Sequence, residues 1–136
     1  MKRHLLDTSV LGAYLLGRSW AVSVVDPWVL ADEAATSIVV YGEVAERLKR
    51  MPDFSIRRIQ LRTILVDIWP YTLTYAAMER YADLRLQMRA PYGPGLIGDA
   101  DTLIAATALE RRLTVVTIDS DYRRVPGLSV QTLIRS

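Results

Sequence analysis

The chain contains no cysteine and a single histidine, His4. The first absence excludes a structural disulfide, a cysteine-rich zinc site and a thiol nucleophile. The second excludes any mechanism that needs two histidines. Acid–base or metal chemistry in this protein must therefore come from carboxylates. No apolar run approaches the ~18 residues of a membrane-spanning helix. The basic and apolar start, MKRHLLDTSVLGAYLL, is cut by Asp7 and has no clean small-residue cleavage site after it. A soluble, cytoplasmic protein with no membrane partner is the expectation. Internal repeats, linkers and low-complexity tracts are also missing. Lysine is scarce: 15 of the 17 cations are arginine, and ten of the 15 acids are aspartate. The formal charge is only +2, but if several aspartates share one pocket the remaining surface is basic, which suits a polyanionic partner. A genomic preference for arginine would give the same bias.

What is present fits one domain over residues 1–136, since 51% hydrophobic residues suffice for a layered core. A short apolar strand is expected at His4–Leu6, then a helix from Thr8 to Leu16 stopped by Gly17. Ala21–Val25 reads equally as helix or strand, and Pro27 is expected to open a short helix towards Ala34. The β-branched run Thr36–Val40 reads as a buried strand leading into a helix over Tyr41–Arg50. Phe54–Leu65 is expected to be an amphipathic helix with Ile56, Ile59 and Ile64 inside and Arg57, Arg58 and Arg62 outside. Ile68–Tyr71 is a strand that Pro70 confines to an edge or an end. Thr74 caps a long helix to Met88, an irregular loop spans Ala90–Gly95, and a second long helix covers Asp99–Arg112. Strands at Thr114–Ile118 and Ser129–Thr132 complete an alternating pattern. That alternation predicts an α/β fold, a three-layer α/β/α sandwich around a mainly parallel sheet.

Four acids stand where a strand ends or a helix begins: Asp7 in LLDTSV, Glu43 in IVVYGEV, Asp101 in GDADTLIAA and Asp119 in VVTIDSD. Each has a local explanation, as a helix cap, a favourable charge at a helix N-terminus or an Asx-turn. Together they say more, because the strand ends of a parallel α/β sheet share one edge, where ligands bind. Carboxylates about 4 Å apart repel by about 4 kcal/mol at an effective dielectric near 20, so such a cluster needs cations. With oxygen donors alone, the implied ion is Mg²⁺ or Mn²⁺. Ions held this way suit hydrolysis of a phosphodiester without a histidine base. Asp99 and Asp101 are two apart and cannot share a helix face; Asp101 is the one expected to turn inward. Ser9, Asp99 and Thr117 are candidates to hold the acids in place or bind a metal's water. Ala105, Ala106 and Ala108 keep their helix slim enough to approach the sheet closely, although plain helix propensity also explains them. Arg57, Arg58 and Arg62 are candidates to grip RNA phosphates, against the simpler reading of a solvated helix face. Tyr41, Tyr75, Tyr92 and Trp20 are better read as packing residues than as base-stacking ones.

These stretches carry a resemblance. LLDTSVL, VVYGEVAERL and IGDADTLIAATALERRLTVVTIDSDYRRVPGL resemble the PIN-domain ribonucleases, above all the VapC-type toxins of toxin–antitoxin pairs, from near residue 3 to near residue 132. The resemblance implies a PIN-like fold with an acidic quartet at Asp7, Glu43, Asp101 and Asp119 that binds Mg²⁺ or Mn²⁺. It further implies cleavage of RNA, commonly tRNA or rRNA, a homodimer, and silencing by a cognate antitoxin. Two positions depart from the family pattern. Ser9 stands where Asn is common, and Tyr122 stands where Phe is usual, a change expected to be neutral for packing. The alternatives are a housekeeping PIN nuclease in RNA processing and a catalytically silent PIN-like domain that binds RNA or protein. A response-regulator-like phosphoacceptor would need a lysine near the last strands, and Lys2 and Lys49 lie elsewhere.

Overall fold

The first strand, β1 (His4–Leu6), is only three residues long, yet its consecutive leucines are both fully buried. Neighbouring strand residues point to opposite faces, so both faces of the sheet at this strand are covered. The computed structural model describes residues 1–136. Its other strands are β2 (Ala34–Ser37), β3 (Trp69–Tyr71), β4 (Thr114–Thr117) and β5 (Val130–Thr132). All pair in parallel, in the order β3-β2-β1-β4-β5. Leu5 lies between Ala35 of β2 and Val115 of β4. Every residue of β2 is buried, as are Val115, Val116 and Thr117 of β4, whereas the edge strands β3 and β5 are partly exposed. Parallel strands covered on both faces require helical crossovers. The chain supplies them as α1 (Thr8–Leu15) and α2 (Ser19–Leu30), α3 (Ile38–Leu48) and α4 (Phe54–Ile64), and α5 (Tyr75–Met88) and α6 (Asp99–Arg111), with a 3₁₀ turn at Ser120–Arg124 before β5. The expected α/β sandwich is the fold observed, with Pro70 on an edge strand. No helix is long and apolar enough to cross a membrane.

The core is one cluster around Leu5, Leu6, Val10, Val40, Ile104 and Val116. Truncating such a residue to Ala costs about 2–5 kcal/mol in typical cores. Ala105, Ala106 and Ala108 of α6 are fully buried, and α6 packs on β4 and α3. Local signals set most helix ends. Thr74 Oγ1 accepts the Ala77 N–H at 3.0 Å at the start of α5, and Gly17, with φ +73°, stops α1. The expected loop lies between Met88 and Asp99.

Three sequence expectations are corrected. The second strand is Ala34–Ser37 rather than Thr36–Val40. Ser37 Oγ accepts the Val40 N–H at 3.2 Å and starts α3 there. The β-branched run then goes helical because propensity differences of roughly 0.7 kcal/mol or less per residue are outweighed by burying Val40, Val44 and Leu48 along one face. Pro27 does not open a helix. It lies inside α2, which is anchored earlier by the fully buried Ala21 and Val25. In α4 the inward face is carried by Leu61, followed by Leu65 just beyond the helix. Ile56 and Ile59 are 61% and 68% exposed and Ile64 is half-buried.

Candidate active site

The chain leaves β1 towards β2 and β3 on one side and returns, through α5 and α6, to β4 on the other. A crevice opens at such a switch point, beyond the carboxyl ends of β1 and β4. Asp7 follows β1 directly, and its N–H donates to the Val116 carbonyl at 3.1 Å. Asp119 lies just past β4. The two acids are tied through Thr117, whose hydroxyl donates to Asp7 Oδ2 while accepting the Asp119 N–H at 2.9 Å. Ser9 Oγ donates to Asp7 Oδ1 at 2.7 Å, and the same oxygen accepts the Val10 N–H at 3.0 Å as the N-cap of α1. Asp7 therefore performs the local capping role while its carboxylate is fixed by three donors at the edge of the crevice. Asp119 Oδ1 accepts the Asp121 N–H at 2.9 Å in the corresponding local turn.

The other two acids come from helices that pack together. Glu43, on α3, accepts a short hydrogen bond from the Thr8 hydroxyl at the start of α1. Asp101, in the first turn of α6, accepts from the Tyr122 hydroxyl at 3.0 Å. Asp99 turns the other way, to Arg85 Nη1 at 3.0 Å on the exposed side. The two-residue offset separates the pair as the helical period requires.

Burial raises the Asp101 carboxyl above the ordinary carboxylate range. The Tyr122 hydroxyl opposes that rise, and the charges of Glu43, Asp119 and Asp7 add to it. Burial likewise raises Asp7, against the hydrogen bonds from Thr117, Ser9 and Val10 and with the charge of Asp119. Tyr122, buried beside Asp101 and within reach of the Asp7 and Glu43 charges, is shifted strongly upward and stays a hydrogen-bond donor. The four acids thus share one electrostatic field, and no lysine, arginine or histidine forms an ion pair with any of them.

The donor set is carboxylate and hydroxyl oxygen only. Asp101 Oδ2, Asp119 Oδ2 and Glu43 Oε2 have no hydrogen-bond donor within the protein. No three acids converge into a ready-made cage. Such an open set of oxygens fits a hard ion of the Mg²⁺ type, which keeps several waters and takes only one or two carboxylates directly.

Ser9 and Thr117 thus lie against Asp7, whereas Asp99 is drawn away from the group by Arg85. The α4 arginines are not gathered at the acids. Arg57 pairs with Asp53 at 3.1 Å, while Arg58 and Arg62 line a shallow exposed groove with Ile59 and Val66. Sequence reasoning missed two polar supports, Thr8 and Tyr122. Tyr122 packs into the buried core as expected, and its hydroxyl also holds Asp101. The departure from Phe, combined with a buried position, was the available signal, because a buried tyrosine hydroxyl needs a partner.

No curated protein matches the chain by sequence. Among solved structures it is similar to VapBC2 from Rickettsia felis bound to a DNA fragment from their promoter, at 18% identity and a TM-score of 0.83 over 95% of this chain and 97% of that one. It is also similar to DNA-bound VapBC from Salmonella typhimurium, at 16% identity and a TM-score of 0.84 over 97% and 98%. FitAcB from Neisseria gonorrhoeae gives 24% identity and a TM-score of 0.80 over 93% and 95%. These likenesses establish the fold. The family model of the PIN domain matches residues 4–128, a span that includes all four acids and both of their strand ends. The chain belongs to the PIN domain family.

Proposed function

We propose that this protein is a divalent-metal-dependent endoribonuclease acting as the toxin of a toxin–antitoxin pair. The observation that carries the reading is the group of four mutually repelling carboxylates, free of any cationic partner, at the switch point of a PIN fold. Asp7, Glu43, Asp101 and Asp119 are the residues that would hold Mg²⁺ or Mn²⁺. The ion, when bound, supplies Lewis-acid stabilisation of the phosphodiester and a water of lowered pKa. Thr117 and Ser9 orient Asp7 by donating to both of its oxygens, and those bonds oppose the rise that burial imposes on its carboxyl. Thr8 orients Glu43 in the same way, and Tyr122 orients Asp101. Holding the acids in this way lowers the reorganisation needed as charge develops on the phosphate.

The substrate proposed is RNA, with tRNA or rRNA the expected targets, and the inhibitor is a cognate antitoxin. Similarity to solved toxin–antitoxin complexes from Klebsiella pneumoniae and Mycobacterium tuberculosis supports the antitoxin, and membership of the PIN family supports a nucleic-acid substrate. A homodimer is the expected assembly, and the exposed Ile56, Ile59, Val66 and Trp69 of the α4–β3 flank offer an apolar face for it. The testing experiment is cleavage of total RNA by antitoxin-free protein with Mg²⁺, with Mn²⁺ and with EDTA, beside Asp101→Ala. Discrete fragments that disappear with EDTA and in the variant are the expected result. Folded, antitoxin-free protein that leaves RNA intact under every metal would overturn the nuclease reading.

A further inference from the structure

Eight of the 17 cations of this chain are engaged by other side chains. Lys2, Arg3, Arg50, Arg57, Arg85, Arg111 and Arg124 are in ion pairs, and Arg123 donates to Thr132. Of the nine that have no such partner, Arg58 and Arg62 share the shallow α4 groove, and three other arginines come together elsewhere. Arg18 caps α2, Arg47 lies in the last turn of α3, and Arg135 belongs to the tail after β5. Far apart in sequence, they line one groove of about 240 Å³, and none forms an ion pair or a side-chain hydrogen bond.

The groove lies next to the acids, although none of the four lines it. Ser9, which donates to Asp7, and Ile118, the residue before Asp119, are in its wall. Its floor is apolar, with Leu16, Trp20, Leu48 and Met51. Gly12 of α1 keeps it open: a Cβ built there meets no atom within 4 Å. Parallel topology explains the placement of Arg135, because the carboxyl end of β5 emerges on the same edge as those of β1 and β4.

Three guanidinium groups without carboxylate partners around an apolar floor are complementary to an anion attached to a flat apolar body. A nucleotide is such a group: arginine forks take the phosphate, and the base lies on aromatic and aliphatic side chains. We propose that this groove is the substrate subsite beside the cleavage centre. It seats the nucleotide next to the scissile phosphodiester of single-stranded RNA, with phosphate on Arg18, Arg47 and Arg135 and the base against Trp20 and Met51. The proposal rests on the nuclease reading and names where that substrate lies.

The test measures binding apart from cleavage. Anisotropy of a short fluorescein-labelled single-stranded RNA of mixed sequence is followed on the Asp101→Asn background, which keeps the strand intact, across about 50–200 mM salt. Arg18→Gln, Arg47→Gln and Arg135→Gln are each expected to weaken binding roughly threefold to tenfold and to reduce the slope of log K against log salt by about 0.7. Arg112→Gln, an unpaired arginine at the opposite end of α6 from Asp101, is the comparison and is expected to change neither. Gly12→Leu fills the groove without altering charge, and it is expected to weaken binding with the slope unchanged. Unchanged affinity and slope in the triple arginine variant would overturn the subsite. So would arginine variants that lose a bound antitoxin segment while holding RNA as before, since the groove would then belong to the protein partner. If the wild type cleaves RNA while the triple variant keeps its KM, the subsite fails and the nuclease reading stands. If the wild type neither binds nor cleaves RNA, both fail together.

Discussion

Two flanks of one sheet depart from the ordinary distribution of residues in opposite directions. At the β1–β4 edge, polar groups are buried: Asp7 is 5% exposed and Thr117 fully enclosed. At the α4–β3 flank, apolar groups are exposed, with Val66 at 78% and Trp69 at 54%. Each departure disfavours the isolated chain, the first through desolvated like charges and the second through apolar surface left in water. The difference teaches what kind of partner each flank is built for. A buried Asp7 beside three half-buried acids, each with an oxygen that no donor reaches, calls for a cation and the anion it activates. A helix face that exposes isoleucines among arginines, beside an open strand edge, calls for another protein surface.

The sharpest way to break this comparison is to remove the chemistry of one flank and leave the other. Asp7→Asn preserves a cap for α1 and is expected to lower RNA cleavage at least about a hundredfold, on the scale seen when one preorganised electrostatic partner of a reaction is lost. A charge placed on the opposite flank, as in Ile59→Asp, should leave the per-site rate intact. It is expected instead to weaken self-association about thirtyfold, corresponding to about 2 kcal/mol at an apolar interface centre, as read by light scattering across a dilution series. A monomeric wild type, or a variant with unchanged association, would remove the α4–β3 face from the dimer.

Smaller effects sharpen the account of the acidic edge. Tyr122→Phe keeps the buried ring and deletes only the donor to Asp101. Metal affinity, measured by calorimetry with Mn²⁺, is expected to fall about tenfold, as when an outer-shell partner of a ligand is lost, and the RNA-binding salt slope should not move. Unchanged Mn²⁺ affinity would return Tyr122 to a packing role. The smallest effect concerns stability. Asp101 has a raised pKa in the folded state, so the native protein binds more protons than the unfolded chain between the ordinary and the raised value. Stability is then highest below the ordinary carboxylate range and declines as pH rises through the folded pKa. Asp101→Asn should therefore raise the metal-free Tm by about 2–4 °C near neutral pH, a modest figure because the group is half-exposed. That gain should vanish near pH 4 and shrink when saturating metal stabilises the wild type. An equal gain at both pH values would mean that charge repulsion is not its source.

Much of this site was legible because its signals are local. Asp7, Asp101 and Asp119 follow a strand or open a helix, and parallel strands with helical crossovers send such positions to one edge whatever their separation in sequence. The helical period separates Asp101 from Asp99, and the position of Asp101 in the first turn, before the Leu-Ile-Ala-Ala run, is what favours it as the inward one. Other features were illegible for the opposite reason. Nothing near Arg18, Arg47 or Arg135 signals that they meet, because their encounter depends on the strand order β3-β2-β1-β4-β5 and on where the tail leaves β5. The orientation of α4 was misread because isoleucines at 56 and 59 satisfy an amphipathic pattern as well as Leu61 and Leu65 do, and only packing chooses between the two faces. Ile38–Val40 likewise carries a strand preference that the Ser37 cap and the buried helix face overrule.

By itself, then, the sequence determined the class of fold, the chemistry of the donor set and the strand ends that present it. Those follow from hydrophobic period, from capping and from the absence of thiol and imidazole ligands. Tertiary structure decided which side chains hold each acid, which arginines remain unpaired beside them and which apolar face is left in solvent. Those depend on contacts between residues distant in the chain, and lateral strand order and helix rotation are set by packing the whole core.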